Sequence, residues 1–182
     1  SYKESKDLAE VDLVSVVDGD TIYVKYKGEN IKVRLIGIDT PESVNADESK
    51  NTVYGKYASD YTKELLDGIE KIYLEFDTET SDVYGRVLAY VWLKDGANKT
   101  TEDIGQYMLN GILVKAGYAI DKVYEPNERY ATNFRLLRKE AKESAERGEW
   151  EANLAEEGRL QMKGYHKGVL ADLPEQERED AV

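Results

Sequence analysis

Apolar and polar residues alternate with a period of two through most of the first half of the chain, the pattern of strands with one face inward and one in water. In residues 31–38, Ile31, Val33 and Leu35 fall on one face, Lys32 and Arg34 on the other. Residues 20–26 alternate likewise, and 11–17 form a strand that enters an Asp18-Gly19 turn. With Gly28-Glu29 as a two-residue loop, Lys27 faces Asn30 and Asp20 lies across from Gly37. Asp39 then sits diagonally on the same face, near enough for both side chains to reach one cation. Residues 71–76 and 84–94 are two further strands with a turn at 78–82.

The period changes in YGKYASDYTKELL, where Tyr54, Tyr57, Ala58, Tyr61 and Leu65 recur at helical spacing. Tyr57, Tyr61 and Tyr90 fit half-buried core positions better than base-stacking ones. Residues 43–53 are a polar, irregular loop beside the acids, and KDGANKTTEDIGQY is a polar excursion. A second helix follows at 109–116, with Asn110 near its start. Pro126 and Asn127 start a third, which Gly148 stops. Five strands with one helix between the third and fourth is the arrangement of an OB-type barrel. The expected fold is α+β and mainly β: a five-stranded OB-fold barrel with three helices over 11–150. A polar lead-in (1–10) precedes it and an acidic tail or helical extension (151–182) follows. Trp150 is expected to pack the last helix on the barrel.

Composition narrows the chemistry. The chain of 182 residues has no cysteine and a single histidine, His166. Thiolate and His-based zinc sites are therefore excluded, a Ser-His-Asp triad is disfavoured, and a carboxylate is the natural catalytic base. No run of 18 apolar residues is present. The net charge is −12, of which −5 lies in residues 149–182, and the remaining −7 argues against tight non-specific duplex binding.

The candidate chemistry lies in Asp20, Arg34, Asp39, Glu42 and Arg86, all near strand ends of the expected barrel. Taken singly, Asp-Gly is also an ordinary hairpin turn, and Tyr-Gly-Arg at 84–86 a turn into a strand. Taken together, two carboxylates, a backbone carbonyl and waters suit calcium. Glu42 can reach a water as general base, and two guanidiniums can grip a phosphate bidentately. That set describes a hydrolytic phosphodiesterase.

VVDGDT, VRLIGIDTPE, YGKYASDYTKELL, DVYGRVLAYV, MLNGILVKAGYA, VYEPN and GEW, in that order, resemble the staphylococcal (micrococcal) nuclease family over about residues 11–150. The resemblance implies calcium-dependent cleavage of DNA and RNA to 3′-phosphate products. It implies calcium on Asp20, Asp39 and the carbonyl of Thr40, with Glu42 activating water directly or as a hydrogen-bond acceptor in the calcium shell. It implies Arg34 and Arg86 on the scissile phosphate and Tyr84 on a terminal phosphate. Asp18 would support its turn, and Pro126 a tight, cis-compatible one. A base-stacking tyrosine of the family falls at Lys122, which leaves Tyr124 or Tyr118 to stack on the substrate beside it. The lysine expected before Tyr-Gly-Arg is Val83.

The expected protein is a monomeric, extracellular or envelope-associated nuclease whose leader has been removed, preferring single-stranded or frayed substrates. The competing reading is a non-catalytic OB-fold module that binds oligonucleotides or a protein. An acidic tail folding over the cleft is a third reading, against a merely solvated tail. One internal difficulty concerns Arg34. Strict alternation points it away from Asp39, so it joins the acids only if the strand bends near Gly37.

Overall fold

The structure, a computed structural model, describes residues 8–41, 53–148, 152–154 and 160–162. Five strands close into a barrel: β1 (Leu8–Asp18), β2 (Thr21–Tyr26), β3 (Glu29–Leu35), β5 (Lys71–Glu75) and β6 (Val87–Trp92), in the order β1-β2-β3-β6-β5. Strand β1 begins at Leu8, three residues before the expected start at Val11, and pairs with β5 through its first half and β2 through its second. Register shifts at Leu13/Ser15 and Val16/Asp18 bend it enough to serve both neighbours. Val11, Ile22, Val24, Val33, Leu35, Ile72 and Leu74 fill the interior, as the alternation requires.

Two expectations about the β2–β3 hairpin change. Its two-residue loop is Lys27-Gly28, with φ of 51° and 80°, because a turn of this type needs positive φ at both central residues and Gly28 supplies the second. Tyr26 therefore pairs with Glu29 and Thr21 with Arg34, and the Leu35 amide donates to the Asp20 carbonyl at 2.9 Å. Asp20 lies across from Leu35, not Gly37. The slide is two residues, an even number, so every side chain keeps its face.

The third strand does not run through to Ile38. It ends at Leu35, Gly37 turns the chain with φ +79°, and β4 (Ile38–Asp39) pairs instead with β7 (Ile120–Asp121). Buried Asn110 fills the gap where β3 and β6 part, accepting from the Val91 amide at 3.0 Å and donating to the Ile36 carbonyl at 2.9 Å.

Four helices, not three, pack on the barrel among the described residues: α1 (Val53–Leu66), α2 (Thr101–Tyr107), α3 (Leu109–Lys115) and α4 (Ala131–Glu146). The additional one is α2, inside the stretch read as a polar excursion. Thr100 caps it by accepting from the Asp103 amide at 3.2 Å, and Glu102 and Asp103 sit at its positive end. Helix α4 starts five residues after Pro126, since Asn127 is engaged elsewhere. Tyr57 and Tyr90 are buried rather than half-buried, whereas Tyr61 is half-buried as expected. Glu75, wholly buried, accepts from Trp92 Nε1, the Tyr130 hydroxyl and Arg129 Nη1 at 2.8–2.9 Å, which fastens the start of α4 to β5 and β6. Burial pushes the Tyr90 and Tyr130 hydroxyls far up, reinforced by the carboxylates of Asp77 and Glu75. In the expected acidic tail, β8 (Ala152–Leu154) pairs antiparallel with β9 (Leu160–Met162). The loop over 43–52, Trp150 and His166 lie outside the described residues.

Candidate active site

The bend at Gly37 brings Arg34 to the acids. Its Nη1 donates to the Leu35 carbonyl at 2.6 Å and the Ile38 carbonyl at 2.9 Å, spanning the bend from both sides. Its Nη2 lies 3.2 Å from Asp20 Oδ2 and 3.3 Å from Asp39 Oδ1. One cationic atom therefore serves both carboxylates, although one acid comes from the β1–β2 turn and the other from β4.

Asp20 is buried and held from three sides, accepting from the Thr21 hydroxyl at 3.1 Å and the Thr40 amide at 3.0 Å besides Arg34. The Asp18-Gly19 turn is closed by the Gly19 amide donating to Asp18 Oδ1 at 2.9 Å. Burial, then the neighbouring Asp20 charge, raises the Asp39 carboxyl above its ordinary range, against the opposing pull of Arg34 and Lys122. Such a pair gains from a further cation. The donors on offer are all hard oxygens: two carboxylates and the main-chain carbonyl of Thr40, the residue whose amide bonds Asp20. No group of three His, Cys, Asp or Glu side chains comes together among the described residues. So sparse a protein set leaves coordination positions for water and substrate, and it fits a hard divalent cation of the calcium type.

Arg34 opens into a cleft of about 500 Å³, which it lines with Gly37, Glu79, Tyr84, Arg86 and Tyr124. On the opposite wall, Asp82 organises the Tyr84-Gly85-Arg86 turn, accepting from the Tyr84 and Arg86 amides at 3.0 and 2.9 Å. The same carboxylate takes Arg86 Nε at 2.8 Å, which directs the guanidinium. Val83 and Tyr84 stand out from this turn, 93% and 80% exposed. Lys122 reaches Asp39 Oδ2 at 3.8 Å and lies 5.4 Å from the centre of the Tyr124 ring. Interaction with Tyr124 and then Asp39 raises its ammonium pKa. Asn127 joins the walls, accepting from the Glu79 amide at 2.8 Å and donating to the Glu79 carbonyl at 2.9 Å. The Glu125-Pro126 bond between Tyr124 and Asn127 is cis.

The structure thus brings together Asp20, Arg34, Asp39, Thr40 and Lys122, with Arg86, Tyr84 and Tyr124 around the same cleft. Glu42, the expected base, lies outside the described residues. Tyr118, offered beside Tyr124 as a stacking residue, is buried and itself stacked on Tyr61 at 3.9 Å, so it cannot serve. Asp82 and Asn127 were missed. An Asp two and four residues before amides that need an acceptor is a readable turn signal. Asn127 carried only the look of a helix start.

The sequence pattern of a family described as "Staphylococcal nuclease homologue" matches residues 32–152. The "Thermonuclease" of Staphylococcus intermedius is 43% identical over 126 residues, 69% of this chain and 67% of that protein. That of Staphylococcus hyicus is 41% identical over 129 residues, 71% and 69% of the two chains. "Endonuclease YncB" of Bacillus subtilis (strain 168) is 40% identical over 141 residues, 77% of this chain and 61% of that protein.

Proposed function

The chain belongs to the staphylococcal nuclease family, and we propose on that basis that it is a calcium-dependent nuclease, a hydrolase that cuts DNA and RNA to 3′-phosphate products. The observation that carries the reading is the meeting of Arg34 with Asp20 and Asp39 at one end of a cleft whose other wall holds Arg86.

Asp20, Asp39 and the Thr40 carbonyl would hold the cation, which would supply Lewis-acid chemistry for phosphodiester hydrolysis. Arg34 keeps Nη1 on the bend carbonyls and turns Nη2 from the carboxylates to a phosphate oxygen. Arg86 has Nε committed to Asp82, so its two terminal nitrogens meet the phosphate in a set orientation. Both guanidiniums then face the charge that grows in the transition state. Glu42, three residues past Asp39, takes the proton of the attacking water or holds that water by a hydrogen bond. Exposed Tyr84 donates to a terminal phosphate, Tyr124 stacks on a base, and Lys122 stands beside both the base and Asp39.

A net charge of −12 and an apolar Val83 at the cleft mouth favour single-stranded or frayed substrates over duplex. Supercoiled duplex cut as fast as heat-denatured DNA at one ionic strength would refute that preference. Like the expected site of action, at or outside the cell envelope, the preference is separable from the chemistry. No described helix is long and apolar enough to cross a membrane. The deciding assay compares wild type with Glu42→Gln, with calcium and with chelator. Loss of the base lowers the rate by about two to four orders of magnitude. An equal rate removes Glu42 from the chemistry, and binding without turnover in wild type returns the chain to the binding-module reading.

A further inference from the structure

The outward face of the β2–β3 hairpin continues away from Arg34, and beyond that residue it has no part in the chemistry above. Its cross-strand pairs are Thr21–Arg34, Tyr23–Lys32 and Lys25–Asn30. The intervening Ile22, Val24 and Val33 are fully buried, so alternation sets these six on the outside. Lys25 and Lys32 are exposed and Tyr23 is half-buried. Val33 pairs with Val87 on the parallel strand β6, which brings Lys32 alongside Arg86.

The composition of this face is unlike that of the chain. Three of the six residues are cationic and none is acidic, while Asp and Glu outnumber Lys and Arg by 37 to 25 overall. An ordinary solvated face drawn from such a chain would carry more acids than bases. The Lys32 ammonium lies 5.5 Å from the centre of the Tyr23 ring, which settles a long side chain on the surface. Beyond Lys25 the row passes to Asp12, itself engaged by Lys71, so it stays net positive.

We propose that Arg34, Lys32, Tyr23 and Lys25 form a track for the backbone of a single-stranded polynucleotide, running from the scissile phosphate along the outside of the barrel. The proposal rests on the nuclease reading of the cleft. Successive rows lie about 6.7 Å apart along a strand, a step suited to successive phosphates of an extended chain. The face formed by the second and third strands is also where OB barrels receive oligonucleotides. A single strand needs one row of cations and an occasional ring, which this face has. A duplex would lay a second row of phosphates against an acidic body.

The test is the salt dependence of binding to fluorescent single strands of about 4 and about 12 nucleotides, lengths spanning the site sizes of one OB barrel, with chelator present to prevent cleavage. Wild type binds the longer strand more tightly. K25Q/K32Q loses that gain, and the slope of log affinity against log salt falls by about 1.4, some 0.7 for each phosphate contact removed. K94Q/K139Q removes the same charge from exposed positions elsewhere and leaves slope and gain unchanged. An unaltered slope in K25Q/K32Q overturns the track, and so does an equal loss in K94Q/K139Q, which would make the effect one of bulk charge. Wild type that binds in this way yet cuts nothing with calcium overturns the nuclease reading and leaves the track standing.

Discussion

Gly37→Ala tests the bend on which the site depends. Gly37 has φ +79°, and a Cβ added there would lie 2.6 Å from Phe134 Cε2 and 2.8 Å from Cδ2. The left-handed backbone costs an alanine about 1–2 kcal/mol. Phe134 is buried, with the Tyr90 and Tyr130 rings 6.1 and 6.4 Å away, so it cannot step aside freely. Overpacking of that kind costs about 1–3 kcal/mol. Fewer conformations in the unfolded chain return about 1 kcal/mol, which leaves a net loss of roughly 1–4 kcal/mol. Urea denaturation followed by tryptophan fluorescence measures it, and Gly37→Ala with Phe134→Leu separates the parts, restoring the steric share and leaving the backbone share. The bend also carries the Ile38 carbonyl to Arg34, so the rate of cleavage falls alongside stability. A loss below about 0.5 kcal/mol, the scatter of ordinary surface changes, with an unchanged rate, would show that the bend needs no glycine and that the account of Arg34 is wrong.

Three other perturbations bear on the site. Thr40 Oγ1 is buried with no hydrogen-bond partner among the described residues, so Thr40→Val removes an unmatched polar group and raises stability by about 1 kcal/mol; a fall in the urea midpoint would mean that the hydroxyl has a partner. The folded-state pKa of Asp39 is raised, so its contribution to stability is present at low pH and lost as pH rises through that pKa. Asp39→Asn therefore stabilises the cation-free protein at neutral pH while abolishing calcium binding, as melting and calorimetry would reveal; a lower melting temperature contradicts the sign. Asp82→Ala frees Arg86 and drops kcat by about 10- to 100-fold, with partial rescue by Asp82→Asn, which still accepts from the two amides. If kinetics were unchanged, Arg86 would be oriented by something other than Asp82.

The barrel was legible because its strands obey a period of two with large apolar residues on one side. The motifs then fixed which strand ends matter. What escaped was decided by main-chain conformation and by distance in sequence. The hairpin slid by two because a lysine took a left-handed position beside Gly28, a choice that alternation does not encode. Helix α2 is too short to show periodicity, although Thr100 and Asp103 spell its cap. Asn110 and Asn127 act across 74 and 48 residues of chain, and no local pattern announces such partners. The even slide explains why Ile22, Val24, Val33 and Leu35 keep the inner face expected of them despite a wrong register, whereas Asp39 approaches Asp20 through the turn at Gly37 and not by alternation. The suspected bend near Gly37 was legible only as a requirement: without it Arg34 could not meet Asp39.

The pair of hydrogen bonds between Asn127 and Glu79 has a consequence for substrate choice. Because it ties the loop bearing Tyr124 to the loop leading to Asp82, the cleft has a fixed gauge. Neither bank can retreat alone, and widening must break both hydrogen bonds at once. A nucleotide strand is therefore admitted by its own thickness rather than by a hinged jaw, and the exchange rate of the Glu79 amide should time the rare openings.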